Sequence, residues 1–259
     1  MTEHDDPSTV LNQRQEQMLR LVAKGFYNEL INYGVTVSEV LAVAGHLLDN
    51  VMQKGSPTNK QADYYNQLFT TRDVQDNWAT AEHLTVQQVS ISPLASGHIP
   101  QVVTWLREPA IRDSFYPRFP DSPEELARYV QVPTRFYFAI FHQHDLVGII
   151  GAEQIDRESA KLEMRKLVGD PRMHGKGIGK LATFLFLYYA FVIQKFRKVF
   201  IYSMDVNVRN LNLNGRFGFE LEGVFFENAF VQNAWRDVVR MSLSSSVWLE
   251  LFAQDLKDV

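Results

Sequence analysis

The stretch Arg172-Met-His-Gly175-Lys-Gly177-Ile-Gly179-Lys180, running straight into an apolar segment from Leu181 to Ile193, decides how this chain is read. A strand candidate, Lys161–Val168, precedes it, and a long helix from about Gly177 to Lys195 follows. Glycines at a strand–helix junction let main-chain N–H groups converge at the positive end of the helix dipole, which suits a pyrophosphate. Lys176 and Lys180 add charge there, and the window 161–180 carries a local +4 with His174 beside it. Charge alone describes only a solvated face; its coincidence with the glycines points to an anion site. The dinucleotide fingerprint needs a third glycine where this chain has Leu181-Ala182, and a Walker loop needs Ser or Thr after Gly179-Lys180. The plain alternative is a tight turn without a ligand.

Working outward, the pattern from about residue 86 is of strands interrupted by helices. Val86–Ile91 alternates as a strand, Ser96–Arg112 reads as helix or paired helical turns, and Ser122-Pro-Glu-Glu opens another helix. Strands are expected at Phe136–Phe141, Leu146–Gln154 and Lys161–Val168 before the long helix. Strand Lys198–Asp205, a short helix Val208–Phe217, and strands near Leu221–Phe226 and Asp237–Leu243 follow. This order predicts an α/β (α+β) fold with a mixed, mostly antiparallel sheet flanked by helices. Before residue 86 the chain reads as helical: Met18, Leu21, Val22, Phe26, Leu30 and Tyr33 recur at three- and four-residue steps. Gly34 is a stop, and Thr36-Val-Ser-Glu39 is a capping box opening a second helix through Val51. Lys60–Phe69 and Asp73–His83 are read as shorter helical pieces. The division is therefore 1–85, an all-α module for interaction, dimerisation or service as a lid; 86–243, the mixed domain; and 244–259, a helical tail.

Composition narrows the chemistry. The 259 residues include no cysteine, which excludes disulfides, thiolate metal sites and cysteine nucleophiles. The net charge of −4 hides an asymmetry: residues 1–85 hold six Lys/Arg against eleven Asp/Glu, and the remainder twenty against nineteen. Nothing here calls for nucleic acid. The polar, acidic start is unlike a secretory signal, and Leu181–Ile193 is too short for a membrane span, so a cytoplasmic protein is expected.

Arg172-Met-His-Gly175-Lys-Gly177 matches the R/Q-x-x-G-x-G/A acetyl-CoA signature of the GCN5-related N-acetyltransferase (GNAT) superfamily at every fixed position. Asn207-Val-Arg-Asn-Leu-Asn-Leu-Asn-Gly-Arg-Phe-Gly218-Phe219-Glu-Leu-Glu222-Gly223 resembles the family's "N…GF…EG" segment, and Arg236–Leu243 its closing strand. Trp105-Leu-Arg107-Glu-Pro-Ala-Ile-Arg112 and Ile149–Ile155 are similar to the RimJ/RimL-like branch and to amino-sugar N-acetyltransferases. The resemblance implies acetyl-CoA as cosubstrate, no metal, and direct attack of a neutral amine on the thioester. It implies a strand Lys161–Val168 that splays from its neighbour, freeing main-chain groups near Val168 and Gly169 for the pantetheine arm. Arg172, His174, Gly175, Lys176, Gly177, Ile178, Gly179 and Lys180 would surround the pyrophosphate, and Asn207 matches a position that commonly bonds the cofactor.

Two departures stand out: His174 replaces a common arginine, and Asn214 stands where many members carry a tyrosine acid. An amide cannot donate a proton in that sense, and Asn210, where some of the branch carries serine, cannot either. Glu163 is the leading candidate base, with an exposed carboxylate paired to Arg165 or Lys161 as the even alternative; Glu222 is a second candidate or a turn cap. Arg112, Tyr116, Arg118 and Phe226 are candidate acceptor contacts, through stacking and an anion clamp, or simply loop residues covering the core. The expected acceptor is a small-molecule amine, such as an amino sugar, or a protein amino terminus. Two other readings stand beside it. One is an N-acyltransferase for longer chains, from CoA or an acyl carrier protein docked on the helical module. The other is a GNAT-like interaction module that holds CoA without turnover.

Overall fold

A computed structural model describes residues 7–32, 35–41, 43–44, 64–112, 114–115, 117–204 and 208–253. Helix α1 (Pro7–Asn32) comes first, and the capping box forms as its spacing predicts: Thr36 N donates to Glu39 Oε2 at 2.8 Å. The strands are β1 (Gln75–Asn77), β2 (His83–Val86), β3 (Val89–Pro93), β4 (Phe136–His142) and β5 (Asp145–Asp156). After them come β6 (Lys161–Val168), β7 (Lys198–Met204), β8 (Glu220–Val231) and β9 (Ala234–Ser244). Residues 37–41 and 43–44 are helical, and the later α-helices among the described residues are α2 (Trp78–Ala81), α3 (Ile99–Arg107), α4 (Pro109–Arg112), α5 (Pro123–Val130), α6 (Ile178–Tyr188), α7 (Val208–Gly215) and α8 (Ser245–Phe252).

Among the described residues the nine strands join one sheet, ordered β1-β2-β3-β4-β5-β6-β7-β9-β8. Every neighbouring pair is antiparallel except β6 with β7. The alternating burial that strands impose sends side chains to two cores. Leu162 and Met164 of β6 face α6, whose Phe184 and Phe186 are fully buried, and α8 seals that layer with Trp248 and Phe252. Leu167 faces the opposite layer, where α3 supplies Val102 and Trp105 and the segment before α5 supplies Phe119. Helix α5 starts as read, with Ser122 Oγ accepting from Glu125 N at 3.3 Å. The helical reading of 73–83 gives way to strand, short helix and strand. Because β1 and β2 extend the main sheet, the boundary drawn at 86 falls inside it.

Candidate active site

Strands β6 and β7 run together for three residues and then part. Their parallel register pairs Lys161 with Lys198, Leu162 with Val199 and Glu163 with Phe200. Beyond Glu163 a cavity opens in the fork, lined by Glu163 to Lys166 of β6, Ile201 to Met204 of β7, Asn210 and Asn214 of α7, and Ser114 and Phe115. The splay that the resemblance implied is therefore present.

Glu163 stands at the root of the fork, 2% exposed. Burial pushes its carboxyl up to about 7; nearby Arg165 opposes the shift and Glu153 reinforces it. Its hydrogen-bond donor is neutral: Gln154 Nε2 gives a bond to Oε2 at 2.7 Å. Gln154 reaches there because the β5–β6 register slips between Glu153 and Asp156 and its own φ is +48°. A bulge re-aims a side chain in this way. The pairing with Arg165 or Lys161, the alternative drawn from sequence, is not what forms. Arg165 instead donates to Glu153 Oε1 at 3.0 Å and to the Pro117 carbonyl, and lies 3.9 Å from the Phe119 ring centroid. Lys161 lies 3.4 Å from Asp156. Tyr129 and Tyr137 also donate to Glu153 Oε1, and burial with the Glu153 bond pushes the Tyr129 hydroxyl up to about 12. This closed network ties the loop before α5 to the sheet.

Asn210 and Asn214 both reach the fork. Asn214 is 1% exposed; its Nδ2 donates to Asn210 O at 2.8 Å, while its Oδ1 has no partner among the described residues. A buried acceptor without a donor is costly unless something binds there. Lys166, half-buried behind α6, donates to Thr183 Oγ1 at 2.6 Å, and burial pushes its ammonium down to about 8.

A second cavity follows along β6 to the glycine loop. Gly175 and Gly177 both have φ +80°, a conformation that only glycine takes without strain. Lys180 N is bonded to Gly177 O at 3.0 Å, while the amides of Gly175, Gly177, Ile178 and Gly179 meet no protein acceptor among the described residues. These are the orphan donors of a helix start, opening on a cavity. Free amides at one end, a fork with an unpaired strand edge and an orphan acceptor at the other, fit a pyrophosphate carrying an extended thioester arm. Val168, His174 and Lys180 line the path.

Several expected residues do other work. Gly169 N donates to Val147 O at 2.9 Å and His174 Nε2 lies 2.8 Å from Val168 O, so neither main-chain group is free as expected. Arg172 Nη2 closes on Asp170 at 2.8 Å, and Lys176 Nζ approaches Met173 Sδ at 3.8 Å. Glu222 is bonded by Lys198, and Arg240 Nε lies 2.9 Å away. Burial opposes ionisation there, but the two cations hold the carboxyl below the usual range. Arg112, Arg118 and the exposed Phe226 line neither cavity. Asn207 and Tyr116 lie outside the described residues. Reading by motif passed over Gln154 and Lys166. For Arg165 a signal existed: strand alternation puts it on one face with Glu163.

The acetyltransferase (GNAT) domain family model matches residues 88–220, just over half the chain. Spermidine N(1)-acetyltransferase of Vibrio cholerae serotype O1 is 24% identical over 146 residues, covering 56% of this chain and 80% of that protein. The enzyme of the same name from Escherichia coli K12 is 19% identical over 145 residues, covering 56% and 74%. Among solved structures, spermidine N-acetyltransferase from Vibrio cholerae in complex with CoA and spermine superposes with a TM-score of 0.59 at 22% identity, covering 62% of this chain and 98% of that one. That likeness is one of fold.

Proposed function

The chain belongs to the GNAT acetyltransferase family, and from that premise we propose that it transfers the acetyl group of acetyl-CoA directly to a primary amine of a small molecule. The observation that carries this reading is Glu163, a buried carboxyl pushed up to about 7 at the root of the β6–β7 fork, on the strand that leads into the glycine loop with its free amides. The printed names of the relatives, spermidine acetyltransferases, agree with an amine acceptor.

When bound, acetyl-CoA supplies the activated acetyl thioester. The amides of Gly175, Gly177, Ile178 and Gly179 hold the pyrophosphate, with the α6 dipole and Lys180 adding positive potential. The edge of β6 from Met164 to Leu167, which β7 leaves unpaired, receives the arm. Asn214 Oδ1 accepts an N–H or S–H donor in the fork, the one role its geometry leaves to it, since Nδ2 is committed to Asn210. Glu163 takes the proton from the incoming ammonium, and a carboxyl titrating near neutrality is suited to this. Gln154 holds that carboxylate without neutralising it. Glu222, tied to two cations, is left out of the proton path.

Glu163→Gln should lower kcat by about 10²–10⁴-fold and remove the rise of activity through pH 7, while acetyl-CoA still binds. Undiminished turnover would sink the assignment of the base. Gly177→Val, which forces a β-branched residue into φ +80°, should abolish acetyl-CoA binding by calorimetry.

A further inference from the structure

The cavity at the glycine loop has a wall that lies outside the family match. Helix α1 and Tyr65 line it, and both precede residue 88, where the match begins. Helix α1 touches the molecule sparingly: Leu21 and Gly25 are buried, and Lys24 Nζ donates to Asp237 Oδ2 at 2.9 Å. Three neighbours of Leu21 on its apolar stripe are not packed away. Met18, Val22 and Phe26 line the cavity yet remain 40%, 36% and 40% exposed. An amphipathic helix ordinarily buries that stripe, so the space in front of it is suited to an apolar-surfaced occupant.

Across the cavity stand the free amides of Gly175, Gly177, Ile178 and Gly179. At its side the Tyr65 ring has Lys180 Nζ 5.1 Å and Arg216 Cζ 5.7 Å from its centroid. Two cations gathered on one ring, next to an anion-binding loop, suit the phosphates of a phosphorylated nucleoside, whose base is left to the apolar side chains of α1. Glu29 and Glu220 also line the cavity, which confines the phosphates to the side of Lys180, Arg216 and the loop.

We propose, resting on the acetyl-CoA reading above, that α1 and Tyr65 form the outer wall of the coenzyme site, with Met18, Val22 and Phe26 covering the nucleotide half of the bound coenzyme. The N-terminal segment is then part of the substrate site, added by this chain to the family domain.

The test compares acetyl-CoA with S-acetylpantetheine, which keeps the thioester arm and lacks the nucleotide, on the full chain and on V22D/F26D. Loss of the apolar cover should raise the Kd for acetyl-CoA at least about tenfold and leave kcat/KM for S-acetylpantetheine within about twofold. Because a variant can fail by unfolding, amide hydrogen exchange is also followed in the unmodified chain, where acetyl-CoA should slow exchange across α1. If the unmodified chain binds acetyl-CoA while exchange in α1 is unchanged and V22D/F26D binds equally well, the wall is refuted and the enzyme reading stands. Failure of the unmodified chain to bind acetyl-CoA overturns both.

Discussion

Glu163 answers to two opposed demands. Catalysis needs a base poised near neutrality, and burial provides it by disfavouring the ionised form. The same burial weakens the fold. In the native state the carboxyl keeps its proton to about pH 7, whereas the unfolded chain releases it near 4.5. Between those values the native state binds more protons, so stability falls as pH rises through the window and levels off above it. Glu163→Gln should therefore raise stability at pH 8 by roughly 2–3 kcal/mol and leave it nearly unchanged at pH 4.5, as urea unfolding at the two pH values would show. A second residue-scale prediction concerns Gly169, where an added Cβ would sit 2.1 Å from the Trp105 ring. Gly169→Ala should cost about 2–3 kcal/mol in the same assay, because two packed elements must separate to admit one methyl group.

At the scale of elements, β6 has two unlike sides. Leu162 and Met164 build the core under α6, while Glu163 and Arg165 face the fork and the loop before α5. Arg165 binds that loop through the Pro117 carbonyl and the Phe119 ring while neutralising Glu153. Arg165→Lys keeps the charge but loses the fork of donors. Since Phe115 lines the fork cavity with its ring centroid 5.4 Å from the Arg165 guanidinium carbon, the change should raise KM for the amine several-fold with KM for acetyl-CoA unchanged, which separates loop anchoring from general damage.

Element by element, legibility followed how local the cause was. The glycine loop could be read because positive φ and free amides belong to the residues themselves. The Thr36–Glu39 box and the Ser122 cap could be read for the same reason. The segment 73–83 misled because Trp78-Ala-Thr-Ala does make a helical turn, while the strands flanking it are fixed by pairing with distant residues. Gln154 was invisible since its direction depends on a register slip against β6. For Glu163, one face of a strand could be inferred, but the choice between Arg165 and a neutral partner depended on where Glu153 lay.

The whole molecule is closed by segments that lie outside the family match. Trp248 and Phe252 of α8 are fully buried, and Thr71 Oγ1 donates to Phe252 O at 3.2 Å, joining a segment that precedes the family match to one that follows it. A chain ending at Ser244 loses both aromatic side chains from the core, each worth about 3–5 kcal/mol. It should lack a cooperative thermal transition, a result that scanning calorimetry would report. The charge asymmetry that suggested two parts is real in the sequence, but the sheet crosses that division at β1 and β2.

The bond from Lys24 to Asp237 spans 213 residues. Helix α1 therefore leaves the ribosome long before the strand that holds it through this bond. At bacterial-like synthesis rates of about 5–20 residues per second, it waits roughly ten to forty seconds for β9 to emerge. Throughout that wait Leu21, buried in the folded chain, has nothing to lie against, and the stripe it shares with Val22 and Phe26 is the kind of segment that chaperones hold. A clone lacking the last strand would thus leave the helix without this anchor, with Leu21 uncovered beside the already exposed Val22 and Phe26, and it should be recovered from cells in aggregates or bound to a holdase.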